Sequence, residues 1–324
     1  MEKDIKMAAW TSAALLCSGL VVSGLAMHLK SILLFYAGMG VMCGISEGCG
    51  YVTPVKNLLL WFGKSRRKAL IMALSIISFG LGSSICSFLF KYTFPVFGIE
   101  NVFFFFAAVY LLTAGSGAMM ISKPRYVKFK IDAKTKYSAA KYIKDPYFLQ
   151  SWLFMFLNIS MGLIVIGQCA GMLSANGIAP AAVITIMMLC GLSNGFGRIV
   201  FPAISDYLQK RVDILLLAGG IEIAALVLSI FDSWFIPIAF ILINGSYGAY
   251  FSVLPAVLSD HFGNSELSFV HGICLSSWGF ASLFAFLIST FVIGVFQLSQ
   301  NALFGILAAV YAVNFVNVLT LRKR

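Results

Sequence analysis

Residues 192–211 read LSNGFGRIVFPAISDYLQKR. Arg198 closes a stretch, residues 146–197, that contains no Asp, Glu, Lys or Arg, and from Ser205 the chain turns abruptly polar. A full positive charge at that place must be explained by the solvent around the chain. The 324 residues are 60% hydrophobic and 11% charged, with a mean hydropathy of +0.94. Soluble domains carry about 25% charged and about 45–50% apolar residues. A water-soluble chain of this size could not hide the excess. The composition reads as an all-α polytopic membrane protein.

Apolar segments of about 20 residues, the length that crosses the hydrocarbon as a helix, occur ten times: 7–27, 31–55, 69–92, 100–122, 148–174, 181–204, 214–231, 235–258, 268–293 and 300–321. The seventh and eighth are separated only by FDSW, around Asp232. SANGIAP (174–180) and FQLSQN (296–301) supply turn-forming residues. The net charge of +11 is not spread evenly. Taken together, the alternate links Met1–Lys6, Lys56–Lys68, Lys123–Lys144, Ser205–Asp213, Ser259–Glu266 and Arg322–Arg324 carry most of the basic charge. The link Lys123–Lys144 alone holds eight Lys/Arg against one acid, Asp132. That alternation is the positive-inside pattern. It places both termini in the cytoplasm and argues against nucleic acid as a partner. The first run follows MEKDIK, is long and is closed by no A-x-A-like site, so it reads as a retained helix.

The organisation expected is four helices in 1–122, a basic cytoplasmic linker at 123–147 and six helices in 148–324. The seven cysteines all lie in apolar runs without a C-x-x-C pair, which indicates packing rather than disulfides or a metal. Asn158-Ile-Ser160 and Asn244-Gly-Ser246 fit the glycosylation pattern but fall inside apolar runs, beyond a glycosyltransferase.

Ionisable groups at membrane depth are costly and so are functional candidates. They are Glu47, Lys91, Arg198, Glu222 and His271. Lys91 is placed to snorkel to the interface. His271 lies near a helix start, where hydration competes with a substrate role. Glu222 is expected to pair with a cation or face water. Glu47, ringed by glycines in GISEGCGY, is expected to face the interior between helices. Arg198 follows Asn194, Gly195 and Gly197, small residues that make room for a cavity or a close neighbour. Its planar fork fits a carboxylate in two places, and structural pairing is the competing role. Catalytic constellations, ATP loops and metal-ligand spacings are lacking, so an enzyme is not expected.

Several stretches together resemble the oxalate/formate antiporter-type, monocarboxylate-transporter-like branch of the major facilitator superfamily. SNGFGRIVFPAISDYLQKR resembles that family's N-G-x-G-R helix and S-D-x-x-G-R loop through Asn194, Gly195, Gly197, Arg198, Ser205 and Asp206, with Gln209 at the loop's Gly position. FLQSWLFMFLNISMGLIVIGQ is similar to the helix that opens its second half. YGAYFSVLPAVLSDHFG and HGICLSSWGFAS resemble its tenth and eleventh helices through Pro255, Asp260, Phe262, Gly263, Gly272, Trp278 and Gly279. GISEGCGYVTPVKNLLLWF looks like its fourth helix, although Glu47 falls in a stretch usually uncharged. WFGKSRRKA matches the following basic loop in kind.

The resemblance implies an incomplete twelve-helix fold that begins at the family's third helix. It implies secondary active transport of a small organic anion by alternating access, through exchange or proton coupling. It further implies a multi-pass monomer in the plasma membrane, without a cofactor. A non-transporting truncated remnant, or an incomplete gene model, is the competing reading. The substrate-binding residues implied or weighed are Arg198, Asn194, Trp278, Glu47, Tyr51 and His271. The gating loop is Ser205, Asp206, Lys210 and Arg211, and Glu47 and Glu222 are the proton-coupling candidates. Oxalate-handling members carry a Lys on the eleventh helix, whereas no Lys lies in 267–321 and Trp278 falls at or next to that place. One buried cation favours a monocarboxylate, because a second anionic charge would be left unpaired. The topology is checked by cysteine labelling: Lys134 and Arg324 positions should react from the same side of the membrane, and opposite sides would refute it.

Overall fold

The computed structural model describes residues 4–122, 124 and 139–323, with side chains at all of these except 79–80, 83–84, 87–88, 90–91 and 292–293. Residues 123 and 125–138 of the expected linker, and the side chain of Lys91, lie outside the described residues. The chain is all-α. The helices are α1 Ile5–His28, α2 Ile32–Phe62, α3 Lys68–Met120, a short α4 Ala139–Ile143, α5 Pro146–Ala175, α6 Pro180–Ser205, α7 Val212–Phe231, α8 Ile236–Phe262, α9 Leu267–Phe291 and α10 Gln300–Arg322. Among the described residues nine helical stretches are long and apolar enough to cross a membrane. The third expected span, 69–92, falls on the first arm of α3, whose described apolar part is Lys68–Ser78. The two arms part at Gly98, with φ 69° and ψ 168°, a conformation open to glycine and closed to most other residues.

Local chemistry sets several ends. The Asp4 carboxylate accepts from Lys6 N and Met7 N at the start of α1. Asp145 does the same for Tyr147 N and Phe148 N of α5, with Pro146 in the first turn, where its missing N–H is not needed. Pro180 opens α6 likewise. α8 ends at Gly263, whose φ of 83° stops the helix.

The chain forms two compact units: unit 1 is Met1–Lys64 with Gly82–Lys136, and unit 2 is Ser65–Leu81 with Tyr137–Arg324. The start of α3 therefore belongs to unit 2. In unit 1, α1 and α2 touch through small residues. Ser46 Oγ donates to Ser12 O at 2.7 Å, and Ser12 Oγ donates to Ser46 O at 2.9 Å. A Cβ on Gly38 would lie 2.7 Å from Gly19 O. Leu20, Cys43 and Ala107 form a core with Phe103, Phe106 and Tyr110 against it.

Unit 2 is built around α8, whose apolar window is 78% buried against 17–56% for the other described spans. Between helices in lipid there is little hydrophobic drive, so close packing and hydrogen bonds hold them. Phe240 of α8 meets Phe304 of α10 edge-on at 6.3 Å. Asn158 of α5 and Asn314 of α10 both donate to Phe154 O at 3.1 Å. Asn158 and Asn244, the two glycosylation-pattern asparagines, are both buried. The tightest approach joins α6 to α8: a Cβ on Gly197 would lie 2.0 Å from Gly245 O, and one on Gly248 2.1 Å from Asn194 O. Gly197→Ala should therefore destabilise unit 2 by about 1–3 kcal/mol or more through overpacking. Gly167→Ala on α5, where nothing lies within 4 Å of the added Cβ, should be near neutral. Thermal unfolding in detergent checks the pair.

Candidate functional site

The glycines of the SNGFGR turn of α6 do not open a cavity at their own positions. Gly197 takes the α8 backbone against it, and Gly195 faces Leu81 at 3.5 Å. The close approach lays the Arg198 side chain along α8, with its Cγ 3.2 Å from where a Gly248 Cβ would stand. Arg198 is 7% exposed. Its Nε donates to Asn194 Oδ1 at 3.0 Å, one helical turn back, and its Nη1 donates to Ile76 O at 3.0 Å, on the arm of α3 that belongs to unit 2. These two acceptors are neutral oxygens. They satisfy donors while leaving the guanidinium charge in place.

Aromatic rings form one wall of this group. Phe251 of α8 lies 5.5 Å from the Arg198 guanidinium carbon, within cation–π range. Phe251 also meets Trp278 of α9 edge-on at 5.0 Å, and Tyr247 at 5.3 Å. Tyr247 is seated on Gly162 of α5, where a Cβ would come within 2.3 Å of its ring. The structure thus brings Arg198 and Asn194 together directly and Trp278 to them through Phe251. Phe251 and Tyr247 were missed in the sequence. Neutral aromatics in an apolar run give no signal of their own, although both stand one turn or less from Gly248.

The polar loop after α6 forms a second cluster. The Ser205 hydroxyl turns back to Pro202 O at 2.8 Å. The Asp206 carboxylate accepts from Ala69 N at 3.2 Å and Leu70 N at 3.0 Å. It thereby satisfies N–H groups in the first turn of α3 and meets the positive end of that helix. Arg211 bridges Asp206 at 2.8 Å and Asp260 at 2.7 Å, and Lys68 reaches Asp260 at 2.6 Å and Ser259 at 2.9 Å. Burial weighs against the Arg211 charge, yet the two carboxylates hold its pKa above the ordinary arginine value. Lys210 is not part of the cluster: it donates to Arg322 O at 2.8 Å. Lys68 and Asp260 were not read as gating residues, because their pairing joins distant links.

The remaining candidates separate. Glu47 is exposed on α2 within unit 1. Ser46 and Gly50, one turn apart, take the face that meets Ser12 of α1, and Gly44 and Gly48 have no neighbour within 4 Å of an added Cβ. Tyr51 is buried in unit 1. His271 is buried in the first turns of α9, which removes helix-end hydration as its explanation. Glu222 neither pairs with a cation among the described residues nor faces water: it is fully buried and accepts a hydrogen bond from Tyr250.

A family model described as Major Facilitator Superfamily matches residues 7–241. The chain belongs to the major facilitator superfamily. It is an integral, multi-pass membrane protein, and the superfamily is one of transporters and not of enzymes. It is 26% identical over 271 residues to the uncharacterized MFS-type transporter YhjX of Escherichia coli strain K12, across 79% of this chain. The chain spans 65% of the length of that relative, slightly under two thirds. The fold is similar to that of the Escherichia coli fucose:proton symporter FucP, with a TM-score of 0.75 at 14% identity, covering 99% of this chain and 85% of that one. It is also similar to a bacterial homologue of the iron transporter ferroportin in an outward-facing state, with a TM-score of 0.68 at 12% identity, covering 99% and 84%.

The loop cluster makes a prediction within unit 2. Arg211→Ala removes the charged partner of the nearly buried Asp206, which keeps its two backbone donors, and should lower stability by about 1–3 kcal/mol. Lys210→Ala, which touches only a carbonyl at the surface, should change it by less than about 1 kcal/mol. Equal effects in thermal unfolding would show that the bridge carries no special weight.

Proposed function

We propose that the protein is a secondary active transporter of small organic anions, favouring monocarboxylates, of the oxalate/formate antiporter-type branch. The observation that carries this reading is the buried guanidinium of Arg198, oriented by a neutral amide and a neutral carbonyl and backed by Phe251. A guanidinium so held keeps its charge and has its plane fixed. A carboxylate arriving there can replace the Ile76 carbonyl as acceptor and form a charge-assisted fork. Asn194 keeps the Nε side in register while that exchange happens. The absence of Lys from 267–321, with Trp278 near Phe251 instead, favours one negative charge over two.

In this reading the loop cluster is the cytoplasmic gate. Ser205 and Asp206 close α6, Asp206 caps the first turn of α3, and Arg211 ties both to Asp260. Opening requires α3 to leave Asp206, which exposes N–H groups and carboxylates to water that can solvate them. Lys210 acts by tethering the loop to the end of α10. His271 of α9 is a secondary substrate group within unit 2, and Glu47 and Tyr51 of α2 are secondary groups within unit 1. Both termini are cytoplasmic, the membrane is the plasma membrane and the carrier works as a monomer by rocking about a midplane site.

Uptake of labelled formate, lactate, pyruvate and oxalate into proteoliposomes tests the reading. Arg198→Lys keeps the charge, loses the fork and should leave weak transport. Arg198→Gln should abolish transport while membrane insertion stays normal, and Trp278→Lys should shift preference toward oxalate. Undiminished uptake by Arg198→Gln would make Arg198 a structural residue only.

A further inference from the structure

A second polar group lies in the core of unit 2, across α8 from Arg198. Glu222 of α7 is 0% exposed, Tyr250 of α8 1% and Tyr311 of α10 2%. Tyr250 Oη donates to Glu222 Oε2 at 2.5 Å. Glu222 Oε1 and Tyr311 Oη are both buried without a hydrogen-bond partner, and Tyr311 lies within electrostatic reach of the Glu222 carboxyl. Two orphaned polar atoms in one buried cluster are unusual, since interior polar groups are nearly always paired.

Among the described residues no counter-charge is paired with Glu222. From α8, Tyr247 reaches Tyr311 electrostatically. From α5 and α10, Asn158 and Asn314 use their amide N–H groups on Phe154 O. From α6, Arg198 faces Tyr247 and Phe251. On α7 itself, Asp213 is tied to Arg322. Among the described residues Glu222 forms no ion pair. An ionised carboxylate here would stand charged, in a dry interior, with one oxygen unsatisfied. A proton on Oε1 removes the charge and makes a donor of the orphaned oxygen. Tyr311 Oη offers an acceptor that one bridging water can join to it, since neither atom has a direct partner. The step is simple protonation, a carboxylate and a proton from bulk water giving a carboxylic acid.

α8 joins this cluster to the anion anchor. Tyr250 and Gly248 are two residues apart, about 200° around the helix, so Tyr250 touches Glu222 on one side while Gly248 lies against Arg198 on the other. We infer that Glu222, with Tyr250 and Tyr311, is the proton-binding site of this carrier, coupled to Arg198 through α8. The link to Arg198 rests on the proposed anion role, and the proton site itself does not.

Infrared difference spectroscopy of the purified full chain, titrated with pH, reads the carboxyl group directly. The wild type should show a titrating carboxyl band that is missing in Glu222→Gln, a neutral isostere. Tyr311→Phe and Tyr250→Phe should keep the band and move its midpoint by roughly one pH unit. A band that survives in Glu222→Gln overturns the site. If that variant does not fold, midpoints unmoved in both tyrosine variants overturn it. Repeating the titration with saturating formate, lactate, pyruvate or oxalate tests the coupling, which is reciprocal by linkage. A midpoint shift that disappears in Arg198→Gln supports it. A Glu222 band unmoved by all four anions overturns the coupling and leaves the proton site standing.

Discussion

Where α6 and α8 touch, no side chain separates them: Gly197 lies against Gly245 and Gly248 against Asn194. Much of unit 2 follows from that contact. α8 is buried along most of its length, with α5, α6, α7 and α10 packed around it, and the α6 contact is its tightest. That contact also sets the Arg198 side chain along α8, beside Phe251. A methyl group at either glycine would push the backbones apart and swing the guanidinium away from Asn194 and Ile76. The small residues of the SNGFGR stretch are therefore a device for placing a charge, and the space they create is filled by a neighbouring backbone.

Two of the Arg198 donors are met by oxygens that carry no charge, Asn194 Oδ1 and Ile76 O. The loop cluster treats charge differently. Asp206, Arg211, Asp260 and Lys68 alternate in sign and sit near the helix ends, where water can take over each partner if they separate. Glu222 is a third case, a carboxyl in the core with one tyrosine donor and no cation among the described residues. The proposed roles follow these three environments: a permanent charge at Arg198, a separable network at Asp206 and an exchangeable proton at Glu222. Their common element is α8, which supplies Phe251 to the first and Tyr250 to the third and, at its end, Asp260 to the second.

Much of this was legible in the sequence because lipid imposes simple rules. Length and hydropathy located the membrane spans, and the rarity of charge within them singled out Arg198 and Glu222. Charged loop residues after Ser205 announced a cluster, but not that Asp260 and Lys68 complete it, since pairing between distant links leaves no local pattern. The division between units was not legible either: nothing in WFGKSRRKAL says that the start of α3 belongs with the second unit. The small residues around Glu47 do not share one role: Ser46 and Gly50 meet α1, whereas Gly44 and Gly48 have no neighbour within 4 Å of an added Cβ, a difference set by helical geometry and not by residue type. Phe251, Tyr247, Tyr250 and Tyr311 were invisible as site residues, because in an apolar chain an aromatic is distinguished only by what it touches.

The central claim is that Arg198 recognises a negative charge and not merely a small polar molecule. It is tested most directly by the thermal stability of the purified chain in the presence of lactate and of lactamide, its neutral amide. A ligand that binds the folded state raises stability in proportion to the logarithm of its saturation. The account predicts a rise that grows with lactate concentration, is absent with lactamide, and is lost from the lactate series in Arg198→Gln. An equal rise with both compounds, or a lactate response that persists in Arg198→Gln, would contradict it.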